Sequence, residues 1–366
     1  FMNILLIDPY FTGSHRSWAK NYQKNSQHNI DILEMKGQFW KWRMHGGAVT
    51  LARLFNQSDL TPDLILSTDM LDLTTFLSLT RNRTSTTPTA IYFHENQLSY
   101  PWSPTDRDVQ KDRNKQYGFI NYSSALTADH VLFNSRYHQK SFIEESEKLL
   151  KHFPDNNELN SIKIIEDKSS VLPLGLDLLA FDAHKTSYDG SPLILWNHRW
   201  EYDKNPESFF KTLFKLNNNG VDFKLVVLGE NFKTTPSIFD EAQRKLKDQI
   251  LHFDYCENFS DYTQWLWKAD IIPVTNIQDF FGISIMEAIY CNTYPLLPNR
   301  LTYPELLPVE MHDDHIYKNE NDLYDKLCLV ITRIDSARKT NMRSIAEQYD
   351  WSKMATVYDE LFASFI

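Results

Sequence analysis

The stretch LILWNHRWEYDKNPESFF, residues 193–210, decides between fold classes. Leu193 to Trp196 form an unbroken apolar run, the mark of a strand buried on both faces. The run ends in a polar loop that holds Arg199, Glu201, Asp203 and Lys204. Pro206 then opens a helix, at a position whose N–H would have no intrahelical partner anyway. Strand, charged loop and proline-initiated helix are the first half of a parallel crossover.

The rest of the chain repeats this unit. MNILLID (2–8) reads as a buried strand that ends in the loop PYFTGSH (9–15), with a helix expected to begin near Ser17. DLILSTD (63–69), TAIYFHE (89–95), ADHVLFNS (128–135) and SSVLPLG (169–175) are further short apolar runs with polar ends, and RYHQKSFIEESEKLLKHF (136–153) has helical spacing. The pattern then restarts with PLILWNHR, FKLVVLGE, ILHFDY, ADIIPVT and TYPLLPN. The expected fold is α/β: two Rossmann-like, doubly wound parallel-sheet domains facing across a cleft, residues 1–185 and 186–348. The seam is placed in GLDLLAFDAHKTSYDGSP (175–192), where an apolar segment turns polar around Asp189-Gly190 and Pro192. The C-terminal segment 349–366 has helical spacing and is expected to pack back on the first domain. FPDNNELNSIKIIEDKSS (153–170) reads as a mobile loop.

Bulk properties narrow the function. The 366 residues carry 38 basic and 48 acidic side chains, a formal charge of -10, which is the wrong sign for a broad phosphate footprint. Any RNA partner must meet a local basic patch. Three cysteines, Cys256, Cys291 and Cys328, lack the spacing of a zinc site or a disulfide framework, so a reducing cytoplasm is expected. The apolar run at the start is too short to span a bilayer. No membrane association is expected, and a monomer is the expected state.

In open parallel sheets, ligands bind at the carboxyl ends of the strands, so each strand-end loop is a candidate site. Arg199 and Lys204, five apart, can hold a diphosphate, the arginine as a planar fork and the lysine as a point charge. In QDFFGISIMEAIYCN (278–292), Asp279 and Glu287 are separated by seven residues, with Gly282 where a helix would begin. The amides there and at Ile283 would point at a ligand over the helix N-terminus, and the two carboxylates can accept from sugar hydroxyls. Gly229 and Tyr255 stand at two more strand ends. His94, Glu95, Asn96 and Gln97 concentrate hydrogen-bonding capacity after TAIYF. Gly13, Ser14 and His15 follow the first strand, but one glycine is not the GxGxxG fingerprint of a dinucleotide fold, and no P-loop is present. KGQFWKWRMHGG (36–47) interleaves Lys36, Lys41, Arg43 and His45 with Phe39, Trp40 and Trp42, a mixture that suits unstacked RNA bases and phosphates. The run RDVQKDRNKQYG (107–118) is mixed in sign and reads as a solvated helix face. No motif of metal-ligand type stands at a strand end, so no metal is expected.

Together these elements resemble the retaining GT-B glycosyltransferases, through RWEYDK (199–204), VVLGE (226–230) and DFFGISIME (279–287) in that order. A narrower resemblance, carried by GSHRSW, FWKWRM, FHENQLSYP, LFNSRYHQKSF, RWEYDKNPESFF, LGENF and FFGISIMEAIYCNTYPLLPNRLTYPE, is to the tRNA-queuosine mannosyltransferase family. That resemblance implies transfer of mannose from GDP-mannose to the queuosine base of tRNA-Asp, with retention and without an essential metal or other cofactor. It implies that Arg199 and Lys204 hold the donor diphosphate and that Glu287 binds ribose hydroxyls. Asp279, with Phe281, Gly282 and Ile283, would hold the hexose, and Gly229 and Tyr255 would border the donor. His94 would face the reacting sugar. Gly13, Ser14 and His15 would border phosphates and acceptor, and Lys41, Trp42, Arg43, Glu95, Asn96 and Gln97 would meet the acceptor. Two positions depart from the family pattern: Asp279 replaces a glutamate, and Asn292 replaces a glycine. The competing expectations are the same fold acting on a glycan, lipid or small-molecule acceptor, and a sugar-nucleotide epimerase or hydrolase.

Overall fold

A computed structural model describes residues 1–102, 106–111, 113–231 and 235–366. The chain divides into two units: Phe1–Leu176 with Trp351–Ile366, and Asp177–Asp350.

The first unit is built on β1 (Asn3–Phe11), β2 (Asn29–Lys36), β3 (Leu64–Thr68), β4 (Thr89–Phe93), β5 (His130–Phe133) and β6 (Ser169–Val171). Their order is β2-β1-β3-β4-β5-β6 and every pairing is parallel. β3 and β4 are buried along their whole length, which is why they read as unbroken apolar runs. β1 runs beyond the expected MNILLID to Phe11, with its register slipping between Asp8 and Phe11, where Pro9 has no N–H to give. Helix α1 (Gly13–Asn25) starts at Gly13 rather than near Ser17, because Gly13 takes φ +51 and turns the chain at once. β2 is a half-exposed edge strand with Ile30 its one buried residue. It therefore carries no apolar run and escapes the sequence reading. Helix α2 (Trp40–Asn56) follows it. The segment expected as a mobile loop contains a helix, Asn160–Asp167, because Ile162 and Ile165 dock on the core.

The C-terminal helix Trp351–Ala363 also belongs to this unit. Trp18 Nε1 donates to Tyr358 Oη at 3.1 Å. The Asp359 carboxylate accepts from Tyr22 Oη (2.8 Å), Ser26 Oγ (2.6 Å) and the Gln27 amide (2.7 Å). A buried carboxylate needs such donors to offset its lost hydration.

The second unit carries β7 (Leu193–Trp196), β8 (Lys224–Val227), β9 (Ile250–Phe253), β10 (Ile271–Pro273), β11 (Tyr294–Pro298) and β12 (Ile316–Tyr317). The order is β12-β11-β10-β7-β8-β9, again parallel. Trp196, Phe209, Phe210 and Phe239 form the aromatic centre of its core. Residues 177–185 sit with this unit. Asp350 Oδ2 accepts the amides of Leu178 and Leu179 at 2.9 Å each, and Arg343 makes paired bonds to Asp182. No helix among the described residues is long and apolar enough to cross a membrane.

Candidate functional site

In the second unit the loop after β7 and the loop after β10 are tied together by their own polar atoms. Thr275 Oγ1 donates to the carbonyls of Lys204 (3.1 Å) and Asn205 (2.9 Å), and the Ile277 amide donates to the Asp203 carbonyl. Arg300 braces the second loop from below through the carbonyls of Thr275 and Asn276. Lys204, 14% exposed, donates to the Gln278 carbonyl at 3.0 Å and pairs with Asp203 at 3.2 Å. The expected cation is thus fixed beside Asp279. Arg199 is about half exposed and pairs with Glu201 at 3.2 Å.

Gly229 holds the base of this loop. A Cβ there would stand 1.9 Å from the His198 carbonyl oxygen, and φ is +98, so no other residue fits without moving the backbone next to Arg199. Gly282 caps the helix Ile283–Tyr290 at φ +90, as its place in the sequence predicts. Asp279 Oδ2 accepts from Tyr303 Oη (3.0 Å) and Asn276 Nδ2 (3.4 Å). A tyrosine therefore steadies the shorter acid. Asn292 adopts φ 68, the left-handed geometry that a glycine would take.

Glu287 is the most informative carboxyl. Tyr262 donates to its Oε2 at 2.6 Å, and Asn197 Nδ2 donates both to Tyr262 Oη (3.3 Å) and to the Ser284 carbonyl (2.8 Å). Burial pushes its pKa up to about 7 against the Tyr262 hydrogen bond, which lowers it. His198 Nδ1 lies 3.0 Å from Ser284 Oγ, and burial together with the Lys204 charge pulls this ring down to about 3, so it is neutral. Asn197, His198 and Tyr262 were not anticipated as site residues. Asn197 and His198 stand inside the quoted strand-end stretch, and that position was their only signal.

Two further expected residues also lie in this unit. The Phe281 ring is buried and packs edge-on against Tyr349, 5.3 Å between centroids. Tyr255 is half exposed after β9.

In the first unit the ends of β1, β3 and β4 bring Asp8, Asp69 and His94 beside His15. His15 Nδ1 lies 3.0 Å from Asp8 Oδ2, and the His15 ring stacks on His94 at 4.4 Å. Asp69 Oδ1 accepts the His94 amide at 2.9 Å. Burial would lower the His15 pKa, but the Asp8 carboxylate outweighs it and raises the ring to about 9. Burial would also raise Asp8, and His15 reverses that, leaving it lowered. His94 is driven well below its ordinary value by burial and by the neighbouring His15 charge. The pair is thus an imidazolium against a neutral imidazole whose two nitrogens are buried without a hydrogen-bond partner among the described residues. His15, Asp69 and His94 offer ligand atoms within 4.8 Å of one another.

Of the remaining candidates, Gly13 and Ser14 are exposed at the start of α1. Asn96 Oδ1 accepts the amides of Leu98 and Ser99, a turn-capping role, while its Nδ2 is buried and has no hydrogen-bond partner among the described residues. Gln97 Nε2 donates to Glu95 at 3.4 Å. Lys41 is held by Asp106 and Asp108. Trp42 is exposed, and Arg43 Nε donates to the Lys36 carbonyl at 3.1 Å.

Residues 3–176 match the family model described as tRNA-queuosine alpha-mannosyltransferase N-terminal, and residues 180–312 match glycosyl transferases group 1. A tRNA-queuosine alpha-mannosyltransferase of Drosophila melanogaster is 33% identical over 335 residues, 89% of this chain and 86% of that protein. Among solved structures, the catalytic domain of starch synthase IV from Arabidopsis thaliana, bound to ADP and acarbose, superposes with a TM-score of 0.73 at 11% identity, covering 100% of this chain and 99% of that one. Sucrose-phosphate synthase from Thermosynechococcus elongatus gives 0.70 at 13% identity, and HepE from Anabaena in complex with UDP gives 0.69 at 13%; each covers 99% or more of both chains. At such identities these structures establish the fold, which is GT-B.

Proposed function

Because the chain belongs to the tRNA-queuosine alpha-mannosyltransferase family, we propose that it transfers mannose from GDP-mannose to the queuosine base of tRNA-Asp with retention at the anomeric carbon. The observation that carries this reading is the second unit's pairing of hydroxyl-accepting carboxylates with fixed cations. Glu287, with Oε2 engaged by Tyr262, keeps Oε1 for a ribose diol. Lys204, tied to the Gln278 carbonyl, and Arg199 neutralise the diphosphate. Asp279 and the Gly282 and Ile283 amides hold the hexose. In the first unit we assign His94, a ring kept neutral by burial, together with Gly13 to His15 and Glu95 to Gln97, to the same reaction.

In this reaction the bond from the anomeric carbon to the phosphate oxygen breaks, and its electron pair leaves with GDP. The acceptor hydroxyl oxygen bonds to the same face of the sugar. Its proton passes to a diphosphate oxygen. Arg199 and Lys204 act where negative charge grows, which is where fixed cations lower a barrier most.

The test is incubation with GDP-mannose and queuosine-containing tRNA, followed by mass spectrometry of the nucleosides, with UDP-sugars as controls. The expected product is queuosine bearing one hexose. Unmodified queuosine with GDP-mannose, or equal product from a UDP-sugar, defeats the donor and acceptor assignment.

A further inference from the structure

The segment FWKWRM divides in space. Trp40 packs inward against Trp102 and Tyr117, with ring centroids 5.6 and 5.1 Å away. Phe39 and Trp42 do the opposite and are 75% and 64% exposed. Phe39 is the residue just before α2, with φ 52, and Trp42 lies in the helix's first turn, so both exposed rings stand at the same end of α2. The Trp42 ring lies over Gly46: a Cβ on that glycine would stand 2.7, 2.8 and 3.0 Å from three of its ring carbons. One side of the indole is therefore backed by the helix, and its exposure is on the other.

Charge follows the same pattern. From Met35 to Ser58 the sequence holds Lys36, Lys41, Arg43 and Arg53 and not one aspartate or glutamate, in a chain where acids outnumber bases 48 to 38. Lys41 is neutralised by Asp106 and Asp108. Arg43, whose Nε donates to the Lys36 carbonyl, and Lys36 remain at this end of the helix, while Arg53 lies further along it, and Glu34 on β2 is the nearest acid in sequence. Exposed aromatic rings next to Lys36 and Arg43 on an otherwise acidic protein fit a polyanion that carries planar groups. A protein partner matched to the rest of this acidic surface would not need that local reversal of sign.

We propose that Phe39 and Trp42 form a stacking platform for unpaired bases of single-stranded RNA, with Lys36 and Arg43 at its phosphates. This rests on the reading of tRNA as acceptor and gives the RNA a second foothold apart from the modified base. Stacking on an aromatic ring contributes about 1–3 kcal/mol per base. Each of Trp42→Ala and Phe39→Ala should therefore weaken RNA binding roughly 5- to 150-fold, and Trp42→Phe should restore most of the loss. Arg43→Ala should reduce the salt slope of binding by about one.

The measurement is fluorescence anisotropy of the full chain with queuosine-containing tRNA and with a single-stranded oligouridylate, over a salt series. Thermal unfolding and calorimetric GDP binding of the same samples confirm that both units are intact. If wild-type protein binds RNA and the double variant binds it equally well, the platform is refuted while the proposed transfer stands. If wild-type protein transfers no hexose to tRNA yet binds oligouridylate through these rings, the platform stands and the acceptor assignment falls. If the wild-type chain binds neither RNA, both fall.

Discussion

Replacing Glu287 by glutamine tests the hydroxyl-binding assignment through its pH dependence. Burial places the Glu287 carboxyl at about 7, despite the hydrogen bond from Tyr262. Its folded value is raised, so the charged form appears only as pH climbs through that point. With a midpoint near 7, roughly one carboxyl in eleven is ionised at pH 6 and about ten in eleven at pH 8. A carboxylate is an acceptor at both oxygens, whereas the protonated group must give one position to its own hydrogen. With the neutral form about 5- to 30-fold weaker, donor kcat/KM should then rise about three- to eightfold from pH 6 to pH 8, chiefly through KM. Glutamine keeps the shape and one acceptor oxygen but does not titrate. At pH 8 the variant loses about 1–2 kcal/mol, the difference between hydrogen bonds to charged and neutral groups, or roughly 5- to 30-fold in donor KM. At pH 6 the two proteins should nearly converge. Initial rates against donor concentration at saturating acceptor, from pH 6 to 8, measure both. A flat wild-type profile, or a variant that keeps the same slope, would refute the assignment of Glu287 to the donor.

Other perturbations probe the cations and the scaffold. Arg199→Ala and Lys204→Ala should each slow transfer more than about tenfold, by leaving diphosphate charge unpaired; unchanged rates in both end the donor-site assignment. Gly229→Ala places a methyl 1.9 Å from the His198 carbonyl oxygen at φ +98. It should cost about 2–4 kcal/mol in thermal unfolding. Gly282→Ala, whose Cβ would meet nothing closer than 3.3 Å, should cost less because only backbone strain remains. Equal melting temperatures for these two variants would show that the close approach does not matter. Asp359→Ala removes the acceptor of Tyr22, Ser26 and the Gln27 amide. It should destabilise the protein by about 2–4 kcal/mol in denaturant unfolding, with the C-terminal helix becoming protease-sensitive first.

What could be read in the sequence follows from what each sheet buries. β3, β4, β7 and β8 sit inside their sheets, and each is an apolar run that alternation cannot explain. β2 lies at an edge with one buried residue, so its residues are set by exposure to water and resemble a loop. β12 is two residues long, too short for any pattern. The helix Asn160–Asp167 is announced only by Ile162 and Ile165, three apart within a polar stretch. That spacing is the weakest helical signal there is, and only tertiary docking makes it decisive.

The candidate site divides along a similar line. Glycines and strand-end charges are visible because local geometry demands them: Gly229 beside a carbonyl, Gly282 at a helix start, Lys204 at the end of β7. Groups that set the chemistry of those charges come from distant positions and carry no local signature. Tyr262 holds Glu287 from 25 residues away, and Tyr303 holds Asp279 from 24. His198 stands in the very stretch that reveals the fold, yet its neutrality arises from burial and from Lys204, neither of which is a property of sequence spacing. The same holds for Asp8, seven residues before His15: only the return of the chain through α1 turns two ordinary residues into a buried charged pair. The sequence therefore shows the atoms proposed to touch a ligand sooner than the atoms that decide their protonation. The pH dependence of Glu287 tests the part of the site that only the folded chain makes visible.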